Sequence, residues 1–130
     1  MKTVLVSIIL IIFIPVKILA QKLITVQNGS SVNFYTNLDT VLTTCQSGDT
    51  IYIPGGIFTL TVPINRTIHI FGVGHDQDST SATGQTIISG SASIVAGADN
   101  GSISGLYFTG NINFGLNGDL NSTNINNFTL

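Results

Sequence analysis

Ile70-Phe71-Gly72-Val73 is answered by Ile103-Ser104-Gly105-Leu106 and again by Ile125-Asn126-Asn127-Phe128, one apolar-x-turn-apolar unit written three times. The second interval is 22 residues; the first is 33, one such period plus the 11-residue polar stretch from His75 to Gln85. A repeat of about 20 residues is too short for a helical hairpin and suits one turn of a parallel β-solenoid. A tight corner between strands wants positive φ, which glycine accepts freely and asparagine tolerates better than most residues. Gly72, Gly105 and Asn127 are therefore the expected structural corners.

The flanking sequence continues the pattern. In GDTIYIPGGIFTL, from Gly48 to Leu60, Ile51 and Ile53, then Phe58 and Leu60, alternate on either side of Pro54-Gly55-Gly56, so two short strands bend around a corner. Val62, Ile64, Ile68 and Ile70 keep the period of two. Strand signals resume at Thr86-Ile87-Ile88, Ser93-Ile94-Val95, Ser102-Ile103, Leu106-Tyr107-Phe108, Ile112-Asn113-Phe114 and Thr123-Asn124-Ile125. Each is short for a hairpin sheet, but stacked turns would pair every one with a counterpart. Upstream, Leu23 to Val26 reads as a strand and Asn28-Gly29-Ser30-Ser31 as a turn. Asn37 then caps a helix with Leu38, Val41, Leu42 and Cys45 at helical spacing, closed by Gly48. Its one apolar stripe is expected to cover the open end of the first coil.

The chain begins with the layout of a secretory signal peptide: Lys2, an apolar core from Val4 to Ile14, Pro15, and Ile18-Leu19-Ala20 before Gln21. Residues 1–20 are thus expected to be removed, with a strand and capping helix over 21–47 and β-helix coils over 48–130, interrupted by a polar loop at 75–85. Lys2 and Lys17 leave with the signal, so Lys22 and Arg66 face six aspartates and no glutamate. That balance argues against nucleic acid or anionic lipid as partners and leaves neutral glycans open. No membrane insertion is expected after signal removal, and the location is secreted or cell surface. The single cysteine, Cys45, excludes an internal disulfide framework and reads as a buried apolar filler.

The order of strand, helix LDTVLTTCQSGDT, IYIPGGIFTL, TIHIFGVG, TIISG and GSISGLYFTG resembles the amino-terminal part of secreted right-handed parallel β-helix proteins of the pectin-lyase-like superfamily. The resemblance covers nearly all of the chain after the signal. It implies an all-β fold, a right-handed parallel β-helix of about three to four coils with a short N-terminal capping α-helix. Members of that family stack more coils and finish with a cap, so a C-terminus in mid-pattern at Leu130 implies truncation or end-to-end self-association. The family includes lyases, hydrolases and adhesins, so it fixes no chemistry.

The residues themselves point to no catalytic constellation. A β-helix lyase resembling the pectate lyases would need a basic residue with calcium on several carboxylates, and Arg66 has no acidic cluster adjacent in sequence, so it reads as a solvated corner. A glycoside hydrolase needs converging carboxylates, but Asp39, Asp49, Asp99 and Asp119 are scattered. Asp49 in Gly-Asp-Thr is expected to make local turn hydrogen bonds. His75, Asp76 and Asp78 are the one candidate metal set, for calcium through the Asp76 and Asp78 oxygens or for a transition metal through His75 with a carboxylate, against the reading of a solvated loop; otherwise no cofactor is expected. His69 should point outward from its strand. Asn-x-Ser/Thr triplets start at Asn28, Asn65, Asn100, Asn121 and Asn127 and are acceptors in a eukaryotic secretory pathway or chance in an Asn- and Ser-rich chain.

The functional expectation is a structural scaffold or glycan-interaction module of an exported protein, without catalysis of its own, with Tyr52, Tyr107, Asn113 and Asn124 as glycan-facing candidates. The alternative is an N-terminal piece of a polysaccharide lyase or glycoside hydrolase whose catalytic coils lie beyond residue 130.

Overall fold

The computed structural model describes residues 22–74, 84–115 and 125–130. The expected signal peptide, most of the polar loop at 75–85, and the strand signal at Thr123-Asn124 lie outside them.

Ten strands and one helix make up the described chain: β1 (Ile24–Asn28), β2 (Ser31–Tyr35), α1 (Leu38–Thr44), β3 (Asp49–Ile53), β4 (Gly56–Thr59), β5 (Ile68–Gly72), β6 (Thr86–Ser89), β7 (Ala92–Ile94), β8 (Ser102–Ser104), β9 (Tyr107–Phe108) and β10 (Ile112–Phe114). They form three small sheets, in the orders β2-β1-β3-β5-β8, β4-β6-β9 and β10-β7.

The largest sheet is mixed. β1 and β2 form an antiparallel hairpin across Gly29-Ser30, with Gly29 in left-handed backbone (φ 56) as a two-residue turn requires. β1 also runs antiparallel to β3, whereas β3, β5 and β8 are parallel. The other two sheets are parallel throughout.

This corrects the expected all-β, right-handed parallel β-helix of three to four coils. Among the described residues the architecture is a set of small mixed and parallel sheets with one helix. Alternation of apolar residues reports that one strand face is buried; it leaves open which strand pairs with which, and in what direction. The hairpin makes the point: β2, unread in the sequence, turns its apolar Val32 and Phe34 to solvent, 49% and 63% exposed.

The core is aliphatic. Ile24, Val26, Ile51, Ile53, Ile68, Ile70 and Ile103 enter it from the five-stranded sheet, Phe58 and Ile88 from the second, Ala92 and Ile94 from the third. Each fully buried Ile contributes roughly 1.5–3 kcal/mol over its exposed state. α1 adds Leu38, Val41 and Leu42, and its N-cap Asn37 accepts from the Thr40 N–H at 2.9 Å. The helix ends at Thr44 rather than at Gly48, because Cys45 takes up extended backbone (φ −61, ψ 158). Thr86 is fully buried yet satisfied: its hydroxyl accepts from the Val73 N–H at 3.0 Å and lies 3.1 Å from the Pro54 carbonyl, joining two sheets.

The three expected corners divide. Gly105 and Asn127 hold positive φ, 68 and 56. Gly72 does not; it is glycine because β5 and the segment after β8 approach so closely there that a side chain has no room. Nor is Asn127 the counterpart of Gly105. It sits over Asn100, 27 residues away, which has the same left-handed backbone (φ 57). The Thr129 bridge to Ser102 fixes this register, so the repeated motif at Ile125 is offset from the one at Ile103.

Candidate functional site

Strand alternation decides what the five-stranded sheet shows to solvent. β1, β3 and β5 bury Ile24, Val26, Asp49, Ile51, Ile53, Ile68 and Ile70, which turns Thr25, Gln27, Thr50, Tyr52, His69 and Phe71 to the opposite face. Pairing then aligns these residues across the strands. One row runs Phe34, Thr25, Tyr52, Phe71, Ser104; the next runs Val32, Gln27, Thr50, His69, Ser102.

The first row is aromatic. Tyr52 and Phe71 stack with centroids 5.8 Å apart and planes 22° from parallel, while remaining 45% and 41% exposed. The second row is largely polar, and in it His69 Nδ1 lies 2.9 Å from Ser102 Oγ. His69 therefore faces outward, as its place between Ile68 and Ile70 predicts. None of the ten residues in the two rows is Asp, Glu, Lys or Arg.

The structure does not gather the four sequence-derived glycan candidates. Tyr52 belongs to this face. Tyr107 lies on the three-stranded sheet in a row with Ile57 and Ile87, and Asn113 lies on the two-stranded sheet opposite Ser93. Asn124 is outside the described residues, as are His75, Asp76 and Asp78, the candidate metal set. Among the described residues no group of three or more His, Cys, Asp or Glu side chains is placed to hold a metal. Phe34 and Phe71 were missing from the sequence reading. Phe34 lies on a hairpin unread in the sequence, and Phe71 comes beside Tyr52 only through the register of β3 with β5.

The described aspartates are occupied with structure. Asp49 is buried, accepts from Asn28 Nδ2, and also takes the Gln46 N–H at 2.8 Å, the local turn bond its Gly-Asp-Thr setting predicts. Asp99 takes the Asn126 N–H at 2.8 Å. Asp39 holds Thr61 by backbone and hydroxyl; burial alone would raise its carboxyl, but these bonds and the Val62 N–H outweigh it and keep it below its ordinary value.

Arg66 is not a solvated corner. It is half-buried, and its guanidinium donates to the Cys45 carbonyl and to Asn65 Oδ1. Cys45 is buried, and burial pushes its thiol up despite the nearby Arg66 charge.

A hollow of about 410 Å³, lined by Ile103, Ser104, Gly105, Leu106, Phe108, Ile112 and Leu130, opens beside β8, β9 and β10, with no titratable side chain in its lining. No helix among the described residues is long and apolar enough to cross a membrane. No protein-family model, curated protein or solved structure matches the chain.

Proposed function

We propose that the chain is a non-catalytic glycan-interaction module of an exported protein, acting at the cell surface or outside the cell, and that the outer face of the five-stranded sheet is its binding surface. The observation that carries this reading is the uncharged face on which the exposed Tyr52–Phe71 stack lies beside a row of Gln27, Thr50, His69 and Ser102.

A pyranose carries apolar C–H faces and a rim of hydroxyls. A surface with an aromatic row next to a hydroxyl- and amide-bearing row offers a partner to each. Neighbouring strands lie about 4.8 Å apart, so successive side chains within a row repeat on the length scale of successive sugars in an extended chain. The absence of charge on the two rows favours a neutral polymer over a uronate-containing one. Rigid strands hold the side chains in place, which reduces the ordering cost of binding.

The test is retention on insoluble neutral polysaccharides, followed by calorimetry with soluble fragments. The Tyr52→Ala, Phe71→Ala double variant is expected to bind at least about tenfold more weakly, a loss of about 1.4 kcal/mol. Tyr107→Ala, on another sheet, is expected to bind like the parent. Retention no better than an albumin control, or a double variant that binds as the parent does, would sink the proposal.

A further inference from the structure

Four Asn-x-Ser/Thr triplets lie wholly among the described residues, and the fold uses their carboxamides differently. Asn28 spends its Nδ2 on buried Asp49. Asn127 spends its Nδ2 on Asn100 Oδ1 at 3.3 Å; Asn100 itself, like Asn65, makes no hydrogen bond through its amide nitrogen among the described residues, so what sets its triplet apart is its surroundings. The Asn100 triplet is confined at Gly101, where even a Cβ would come within 2.8 Å of the Phe128 ring.

Asn65 differs. It is exposed in the connection between β4 and β5, and its only hydrogen bond among the described residues is accepted by Oδ1, from Arg66 Nε at 3.1 Å. Its amide nitrogen is free there. Asn65 also borders a hollow of about 250 Å³ walled by Leu42, Thr43, Val62 and Pro63, against which a first sugar can lie.

We infer that Asn65, in Asn65-Arg66-Thr67, is an N-glycosylation acceptor whose glycan the folded chain accommodates without losing a contact. The inference rests on the export included in the proposed function but not on glycan binding. The co-reactant is an oligosaccharide joined to a lipid through pyrophosphate. Asn65 Nδ2 attacks C1 of the reducing-end sugar, the C1–N bond forms, the C1–O bond breaks, and lipid pyrophosphate leaves with the electron pair while Nδ2 gives up one proton. Oδ1 remains a carbonyl oxygen, so the Arg66 bond survives.

The experiment is expression of the full chain, with residues 1–21 retained, in a eukaryotic secretory host, and intact mass before and after peptide N-glycosidase in ¹⁸O-water. The expected result is an enzyme-sensitive mass on the secreted protein and isotope-marked Asp at position 65. Asn65→Gln is expected to lose that mass and Thr67→Ser to keep it. Site mapping on the parent does not depend on a variant folding. An absence of enzyme-sensitive mass, or isotope only at other asparagines, would overturn the inference while leaving polysaccharide retention to be judged separately.

Discussion

Gly72 and Gly105 lie back to back across β5 and the turn after β8: a Cβ on Gly72 would sit 2.3 Å from the Gly105 carbonyl oxygen and 2.5 Å from Leu106 Cδ2. The first obstacle is backbone and cannot swing aside. Gly72→Ala is therefore expected to destabilise by about 1–3 kcal/mol, the range of overpacked sites. For a domain of this size each kcal/mol lowers the thermal midpoint by about 4–8 °C. A melting curve by circular dichroism checks this, and an unchanged midpoint would show that the two segments can part at no cost.

Asp39 gives the fold an acid-sensitive contact. Its folded-state carboxyl is held below 3.8 by the bonds from Thr61 and Val62, so the carboxylate stabilises the fold above that value. The contribution is lost as pH falls through the lower folded value, because the unfolded chain then binds the proton more readily. Asp39→Asn is expected to be less stable than the parent at neutral pH by about 1 kcal/mol, with the gap narrowing below pH 3.8. Urea titrations of both proteins along a pH series measure it; a gap independent of pH would assign the effect to shape rather than charge.

Cys45 is predicted to be inert while the chain is folded. Burial raises its thiol, the Asp49 charge adds to this, and the Arg66 charge does not compensate. The nucleophile is the thiolate, so both exposure and ionisation are withheld. Thiol reagents at neutral pH should label the native protein far more slowly than the urea-unfolded protein. Equal rates would place the side chain at the surface.

Individual elements were legible where burial and local chemistry coincide. Ile51 and Ile53, and Ile68 and Ile70, sit on the inner faces that their alternation predicts, and Asn37 caps a helix that buries Leu38, Val41 and Leu42. Assembly was less legible because it depends on partners distant in sequence. Alternation could not announce the antiparallel β1–β2 hairpin, since Val32 and Phe34 face water. The equivalence of Asn127 with Gly105 failed for the same reason: three similar tetrapeptides do not fix which backbone lies on which, and the pairing that formed joins Asn127 to Asn100. The aromatic row shared by Tyr52 and Phe71 exists only once β3 and β5 are in register.

The helix is held at both ends from downstream. Its first turn reaches Thr61 through Asp39, 22 residues on, and the Cys45 carbonyl at its exit accepts from Arg66, 21 residues on. Seven residues are too few for a helix to persist by itself in water. During synthesis, then, these two contacts cannot form until Thr61 and Arg66 have followed the helix out, so an element early in sequence receives the ties at its ends only from chain made some twenty residues later.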